Sequence, residues 1–167
     1  MSRTSANKPF VRRPDPGAWN VNATHHGEWV AAASHPRLVV GVDVMRFEEP
    51  PRGRAAFLEA FRGHFTPREW VQIGRPMDVL SSRDGKFVSA DVSDDSNDSF
   101  YVFWALKEAY IKAIGIGLGF SLQRISFTLA AAPPGSAVTF VATAELDGSP
   151  ATEWHFDVSR LGADHVV

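Results

Sequence analysis

The sequence contains no cysteine among its 167 residues, which excludes a disulfide framework and a thiolate metal site and suits a reducing compartment. It also has little excess charge of either sign. Seventeen Lys and Arg stand against nineteen Asp and Glu, a formal net charge of −2. That balance gives no footing for general affinity to nucleic acid or to anionic membranes, so any anion binding must be local. Long apolar runs are missing as well: none approaches the roughly 20 residues that cross a bilayer, and the opening MSRTSANKPFVRRPDPG lacks the apolar core of a signal segment. No internal repeat is visible. The expectation is a soluble, cytosolic chain with neither nucleic acid nor membrane as a partner.

What is present is enough for a core. Hydrophobic residues make up 44% of the chain, which suffices for one ordinary domain of this length. The most informative stretch is Phe103 to Phe120, FWALKEAYIKAIGIGLGF. Phe103, Leu106, Tyr110, Ala113 and Ile114 recur at spacings of three and four, which predicts a helix with one buried face. Gly115 is placed to end it. Glu108 and Lys112, four apart, project together from another face. Taken alone they read as an exposed ion pair, but Trp104 lies one turn before Glu108, so that face is not simply polar. The glycines at 115, 117 and 119 follow a helix, whereas a dinucleotide-binding loop follows a strand and opens a helix.

Along the chain, residues 1–18 carry Arg3, Lys8, Arg12 and Arg13 among prolines and read as an extended basic arm. Asn22 to Gly27 reads as a turn before a short buried strand from Trp29 to Ala33. His25 and His26 are adjacent, so a shared metal is not expected of them. Leu38 to Val44, LVVGVDV, is the strongest strand in the sequence and contains a single acid, Asp43. A carboxylate in such a run needs hydrogen bonds, a cation or a metal. Asp43 therefore either caps the following turn or ligates a metal. Arg54 to His64 reads as a short helix, and Thr66-Pro67-Arg68-Glu69 is a capping box opening a second helix toward Ile73. The polar, Ser- and Asp-rich segment at about 81–99 reads as a flexible surface insertion. Leu122 to Leu129, Val138 to Leu146 and Trp154 to Val158 read as strands, the last two joined by an Asp147-Gly148 hairpin turn. The fold class is α+β, and residues 19–167 form the domain.

GVDVM at 41–45, FTPREW at 65–70, WALKEAYIKAIGIGLGF at 104–120 and the upstream NATHHG at 22–27 together resemble the 4′-phosphopantetheinyl transferases. The upstream RTSANKP and NATHHG segments resemble the larger type with two similar halves, in particular the eukaryotic aminoadipate-semialdehyde-dehydrogenase phosphopantetheinyl transferases. The resemblance implies an antiparallel sheet with packed helices, here one half of a pseudo-twofold, two-domain architecture. It also implies transfer of the phosphopantetheine arm of coenzyme A to a serine of an apo acyl or peptidyl carrier protein or carrier domain. Adenosine 3′,5′-bisphosphate is then the leaving product and Mg²⁺ the cofactor. By the same resemblance, Asp43 and Glu108 would hold the metal. Glu108 and Lys112 would be catalytic, Lys112 on the phosphates and Glu108 taking the serine proton. Arg3, Thr4, Ser5, Ala6, Asn7 and Lys8, with Asn22, Ala23, Thr24 and His25, would hold coenzyme A. Lys8 and His25 would lie near its 3′-phosphate.

The sequence departs from the family pattern in several places. Met45 stands where many relatives have a second acid, Asn7-Lys8-Pro9 replaces Gly-Lys-Pro, and Thr24-His25 replaces Ser-His. An N-terminal half like that of the two-halved relatives has no counterpart here, and LGADHVV ends on a strand-like run. The expectation is a half-length transferase, completed either by a missing N-terminal half or by a homodimer. The alternatives are an inactive remnant or a noncatalytic coenzyme A-binding module.

Overall fold

The computed structural model describes residues 2–3, 9–11, 19–48, 53–73 and 98–167. Thr4 to Lys8, and most of the polar insertion expected at 81–99, lie outside the described residues.

Strands β1 (Ser2–Arg3), β2 (Pro9–Val11), β3 (Trp19–His26) and β4 (Trp29–His35) form an antiparallel meander in chain order. Asn22 to His26 is thus strand, not the turn read from its polar side chains. The turn is Gly27-Glu28, with Gly27 at φ 57°. Polar residues occupy β3 because the sheet is largely solvated. Nor is β4 the buried strand expected: Trp29 and Val30 are 38% and 77% exposed.

Leu38 to Val44 departs most from its sequence reading. It bends at Leu38 and has no regular structure over 39–44; only the two residues that follow, β5 (Met45–Arg46), enter a ladder. There β5 pairs with β11 (His165–Val166), which in turn pairs with β10 (Arg160–Leu161). Strand propensity alone does not make a strand: a ladder needs a neighbouring strand in register, and among the described residues 39–44 joins no ladder.

The helices follow their sequence signals more closely. Helix α1 (Arg54–Ala60) gives way to a 3₁₀ turn at Arg62–His64. Helix α2 (Pro67–Ile73) begins at the proline of the capping box, and the box is reciprocal. Glu69 Oε2 accepts from the Thr66 N–H at 2.8 Å, and Thr66 Oγ1 accepts from the Glu69 N–H at 3.3 Å. Helix α3 (Asp98–Ile114) starts earlier than expected: Asp98 and Ser99, assigned to the insertion, form its first turn. The Ser99 hydroxyl donates to the Ile73 carbonyl at 2.5 Å and ties the two helices together. Gly115, at φ 73°, ends α3 as its position predicts.

The second half of the chain is a small antiparallel sheet. Strands β6 (Ile125–Ala131) and β7 (Phe140–Leu146) pair along their length, β8 (Ser149–Pro150) follows the Asp147-Gly148 turn, and β9 (Phe156–Val158) flanks β7. Phe127, Leu129, Phe140 and Phe156 of this sheet meet Phe103, Leu106 and Tyr110 of α3 in one core. The α+β class and the antiparallel sheets are as expected. Among the described residues no helix is long and apolar enough to cross a membrane.

Helix α3 is buried nearly all round, and this brings an unexpected charge inside. Lys107 and Glu69 are both fully buried and form an ion pair at 2.9 Å. The Lys107 ammonium also donates to the carbonyls of Leu122 and Ile125 at 2.8 and 2.7 Å. Glu69 Oε1 accepts from the Phe127 N–H at 3.0 Å. All three ammonium protons are thus used, which is the condition for burying such a pair. Desolvation lowers the Lys107 pKa, and the neighbouring Glu69 carboxylate opposes that shift.

Candidate active site

The 39–44 segment crosses α3 so closely that a side chain is impossible at Gly41. A Cβ there would stand 1.9 Å from the Ala109 carbonyl oxygen and 2.8 Å from the Ala113 nitrogen. Close approach of two backbones is what glycine permits. Two residues on, Asp43 is delivered to the helix face that carries Glu108 and Lys112.

Strand β3 fixes the segment from the other side. The Asn22 side-chain oxygen accepts from the Val42 N–H at 2.9 Å, and His26 Nδ1 accepts from the Arg46 N–H at 3.1 Å. Between these two struts Thr24 reaches the acid itself. Its hydroxyl donates to Asp43 Oδ1 at 3.0 Å and accepts from the Lys112 ammonium at 3.0 Å. Lys112 Nζ also meets Asp43 Oδ1 at 2.5 Å. Strand, crossing segment and helix each contribute one member of this triad.

One oxygen of Asp43 is left over. Asp43 is 7% exposed, and its Oδ2 is buried without a hydrogen-bond partner among the described residues. Glu108, half-buried one turn before Lys112, has its pKa raised by burial and by the Asp43 charge, with Lys112 opposing. An uncommitted carboxylate oxygen beside a second acid that is poorly solvated suits a hard cation. Among the described residues no group of three His, Cys, Asp or Glu side chains could hold a metal. Any ion here would rest on the Asp43 and Glu108 pair together with further oxygen ligands.

The structure brings together Asn22, Thr24, Asp43, Glu108 and Lys112. It does not bring Ala23 and His25 to them. Both are exposed and alternate with Asn22 and Thr24 along β3, so they belong to the opposite face of that sheet. Arg3 lies in β1, with its side chain undescribed, and Thr4, Ser5, Ala6, Asn7 and Lys8 are outside the described residues. Sequence reasoning asked what partner Asp43 has and did not find Thr24 or Lys112 as the answer. It also missed Asn22 as a backbone strut and the buried Lys107. For Lys107 the sequence offers no signal, since a lysine in a helix reads as solvated.

Residues 39–167 match the 4′-phosphopantetheinyl transferase superfamily. A phosphopantetheinyl transferase of Thraustochytrium sp. is 42% identical over 169 residues, covering 100% of this chain and 53% of that protein. The L-aminoadipate-semialdehyde dehydrogenase-phosphopantetheinyl transferases of Rattus norvegicus and Homo sapiens are 34% and 33% identical, each covering 100% of this chain and 51% of the relative. The chain thus spans about half the length of these relatives. The family match covers the crossing segment, helices α1 to α3 and the closing sheet, and on it the chain belongs to the 4′-phosphopantetheinyl transferase superfamily.

Proposed function

We propose that this chain carries holo-[acyl-carrier-protein] synthase chemistry: transfer of 4′-phosphopantetheine from coenzyme A to a serine of an apo carrier protein or carrier domain. The single observation that supports it best is the buried, unpartnered Oδ2 of Asp43, set beside Glu108 and Lys112. In the reaction the serine oxygen bonds to the pantetheine-side phosphorus. The bond from that phosphorus to the bridging oxygen breaks, and adenosine 3′,5′-bisphosphate leaves with the electron pair.

Asp43 and Glu108 are the residues that would hold Mg²⁺, with the pyrophosphate and water as the remaining ligands. When bound, the ion supplies charge neutralisation on the pyrophosphate and the leaving group. Lys112, whose ammonium lies against Asp43, binds the same phosphates. Thr24 keeps its ammonium and the Asp43 carboxylate in register. Glu108 takes the serine proton, directly or through a water. Asn22 holds Val42, and through it Asp43, in place. The remaining contacts to coenzyme A fall to the segment from Arg3 to Lys8 and to His25. The names of the rat and human relatives favour an aminoadipate-semialdehyde dehydrogenase carrier domain as the acceptor, and with it lysine biosynthesis through aminoadipic acid.

The test is mass spectrometry of an apo carrier protein incubated with this chain, coenzyme A and Mg²⁺. The carrier should gain the phosphopantetheine mass with the parent and not with Asp43→Ala or Glu108→Gln, while both variants keep the parent's circular dichroism. Undiminished transfer by Glu108→Gln would remove Glu108 from the reaction. Coenzyme A binding without transfer by the parent would make the chain a binding module.

A further inference from the structure

The hairpin of β3 and β4 carries Asn22 and Thr24 to Asp43, yet among the described residues its sheet shares no ladder with the rest of the domain. Side chains must hold it. At the base His35 Nδ1 accepts from the N–H groups of Arg37 and Leu38, at 3.1 and 2.7 Å, and ties the end of β4 to the start of the crossing segment. At the tip, the last cross-strand pair is His26 with Trp29. Both rings meet His165 of β11 edge to face, with centroids 6.2 and 6.5 Å away. The turn rests on the same ring, since a Cβ at Gly27 would stand 3.0 Å from His165 Nε2.

His165 is itself anchored. It is 2% exposed, and its Nδ1 lies 2.9 Å from Asp164 Oδ1. A carboxylate only accepts, so Nδ1 carries the hydrogen. That hydrogen bond is the leading reason the Asp164 pKa is lowered. Asp164 Oδ2 accepts from Arg46 Nε at 3.1 Å, and the Arg46 N–H donates to His26 Nδ1 at 3.1 Å. The contacts close into a circuit through His26, His165, Asp164 and Arg46. His165 Nε2, against the turn, has no hydrogen-bond partner among the described residues. An unpaired buried nitrogen costs free energy, and packing beneath the hairpin tip is what offsets it.

We propose that His165 is a positioning residue for the cluster around Asp43: its ring seats the hairpin tip, and the seat keeps the Thr24 hydroxyl on Asp43 and Lys112. Thr24 is two residues before His26 on the same face of β3, so it moves with the tip. Without the ring, the hairpin is held at its base by His35, and the hydroxyl leaves the acid and the ammonium that it bridges. His165 acts only through the hairpin. That the cluster is catalytic rests on the proposed reaction, whereas the seating does not.

Two amides report on the hairpin directly, because Val42 and Arg46 donate their N–H groups to Asn22 and His26. Phe47 is the control, since its N–H donates to the Asp164 carbonyl beside the β5–β11 ladder. His165→Asn keeps a donor for Asp164 and removes the ring from beneath the turn. It should speed amide exchange at Val42 and Arg46 about tenfold or more and leave Phe47 within about twofold of the parent. Gly27→Ala disturbs the seat from the turn side and should give the same pattern, which decides the matter if His165→Asn fails to fold. In the carrier transfer assay His165→Asn should lower kcat with little change in the carrier KM. Added to Thr24→Ala it should cost nothing further, because it acts through that hydroxyl. Additive losses, unchanged exchange in both variants, or exchange that quickens equally at Phe47 would overturn the proposal. A parent that transfers nothing would fail the proposed reaction instead, and the exchange pattern would still decide the seating.

Discussion

Glu108 carries the clearest residue-scale consequence, because its raised pKa fixes the sign of a stability effect. Burial and the Asp43 charge both disfavour its ionised form in the folded chain. Its folded pKa therefore lies above its unfolded one. Over that interval the folded state binds more protons, so stability falls as pH rises from the usual carboxylate range through the folded value. Glu108→Gln should remove this loss. Urea denaturation at neutral pH and at about pH 4, near the unreacted carboxylate range, should show the variant gaining stability over the parent at the higher pH and little at the lower. An equal offset at both values would mean that Glu108 is not strained by ionisation. The sequence made part of this legible. It marked Asp43 as an acid in need of a partner and set Glu108 and Lys112 on one helix face. It could not show that Thr24 bridges Asp43 and Lys112, because that contact spans 88 residues and no local pattern encodes it.

Among the elements, α3 was readable and the 38–44 strand was not, for one physical reason. A helix satisfies its own backbone, so apolar spacing and a terminal glycine are enough to find it. A strand needs a neighbouring strand, and among the described residues LVVGVDV joins no ladder over 39–44. The hairpin of β3 and β4 failed in the other direction: polar side chains suggested a turn where a solvated sheet tolerates them. The capping box at Thr66 was read correctly as a helix start, yet its glutamate does more. Glu69 joins α2 to α3 through Lys107 and to β6 through the Phe127 N–H. Lys107→Met would leave this carboxylate buried without its counter-charge, at a cost of about 3–5 kcal/mol. Adding Glu69→Gln should recover part of that loss, since a neutral amide needs no counter-charge. A double-mutant cycle from urea denaturation reads the coupling. Simple additivity of the two substitutions would show that the pair does not join these elements energetically.

At the scale of the whole molecule, the cluster around Asp43 lies where three parts of the chain converge: the β3 hairpin, the crossing segment and α3. Each brings charge or hydrogen bonding, and the carboxylates outnumber the ammonium. A divalent cation at Asp43 and Glu108 would balance that excess while binding only the folded chain, because the unfolded chain does not hold the two acids together. Binding to the native state alone stabilises by mass action, about 2.7 kcal/mol at a hundredfold excess of ligand over its dissociation constant. Mg²⁺ should therefore raise the melting temperature of the parent at neutral pH and leave Asp43→Ala unmoved. Lys112 gives the sharper discrimination. Its ammonium sits on Asp43 Oδ1, so Lys112→Met should lower stability without Mg²⁺ and enlarge the shift that Mg²⁺ produces, since the two acids then repel each other without relief. A cation bound elsewhere on the surface would shift the parent, Asp43→Ala and Lys112→Met alike. The three melting curves, with and without Mg²⁺, separate a metal pair from a lysine-neutralised acid without any reference to turnover.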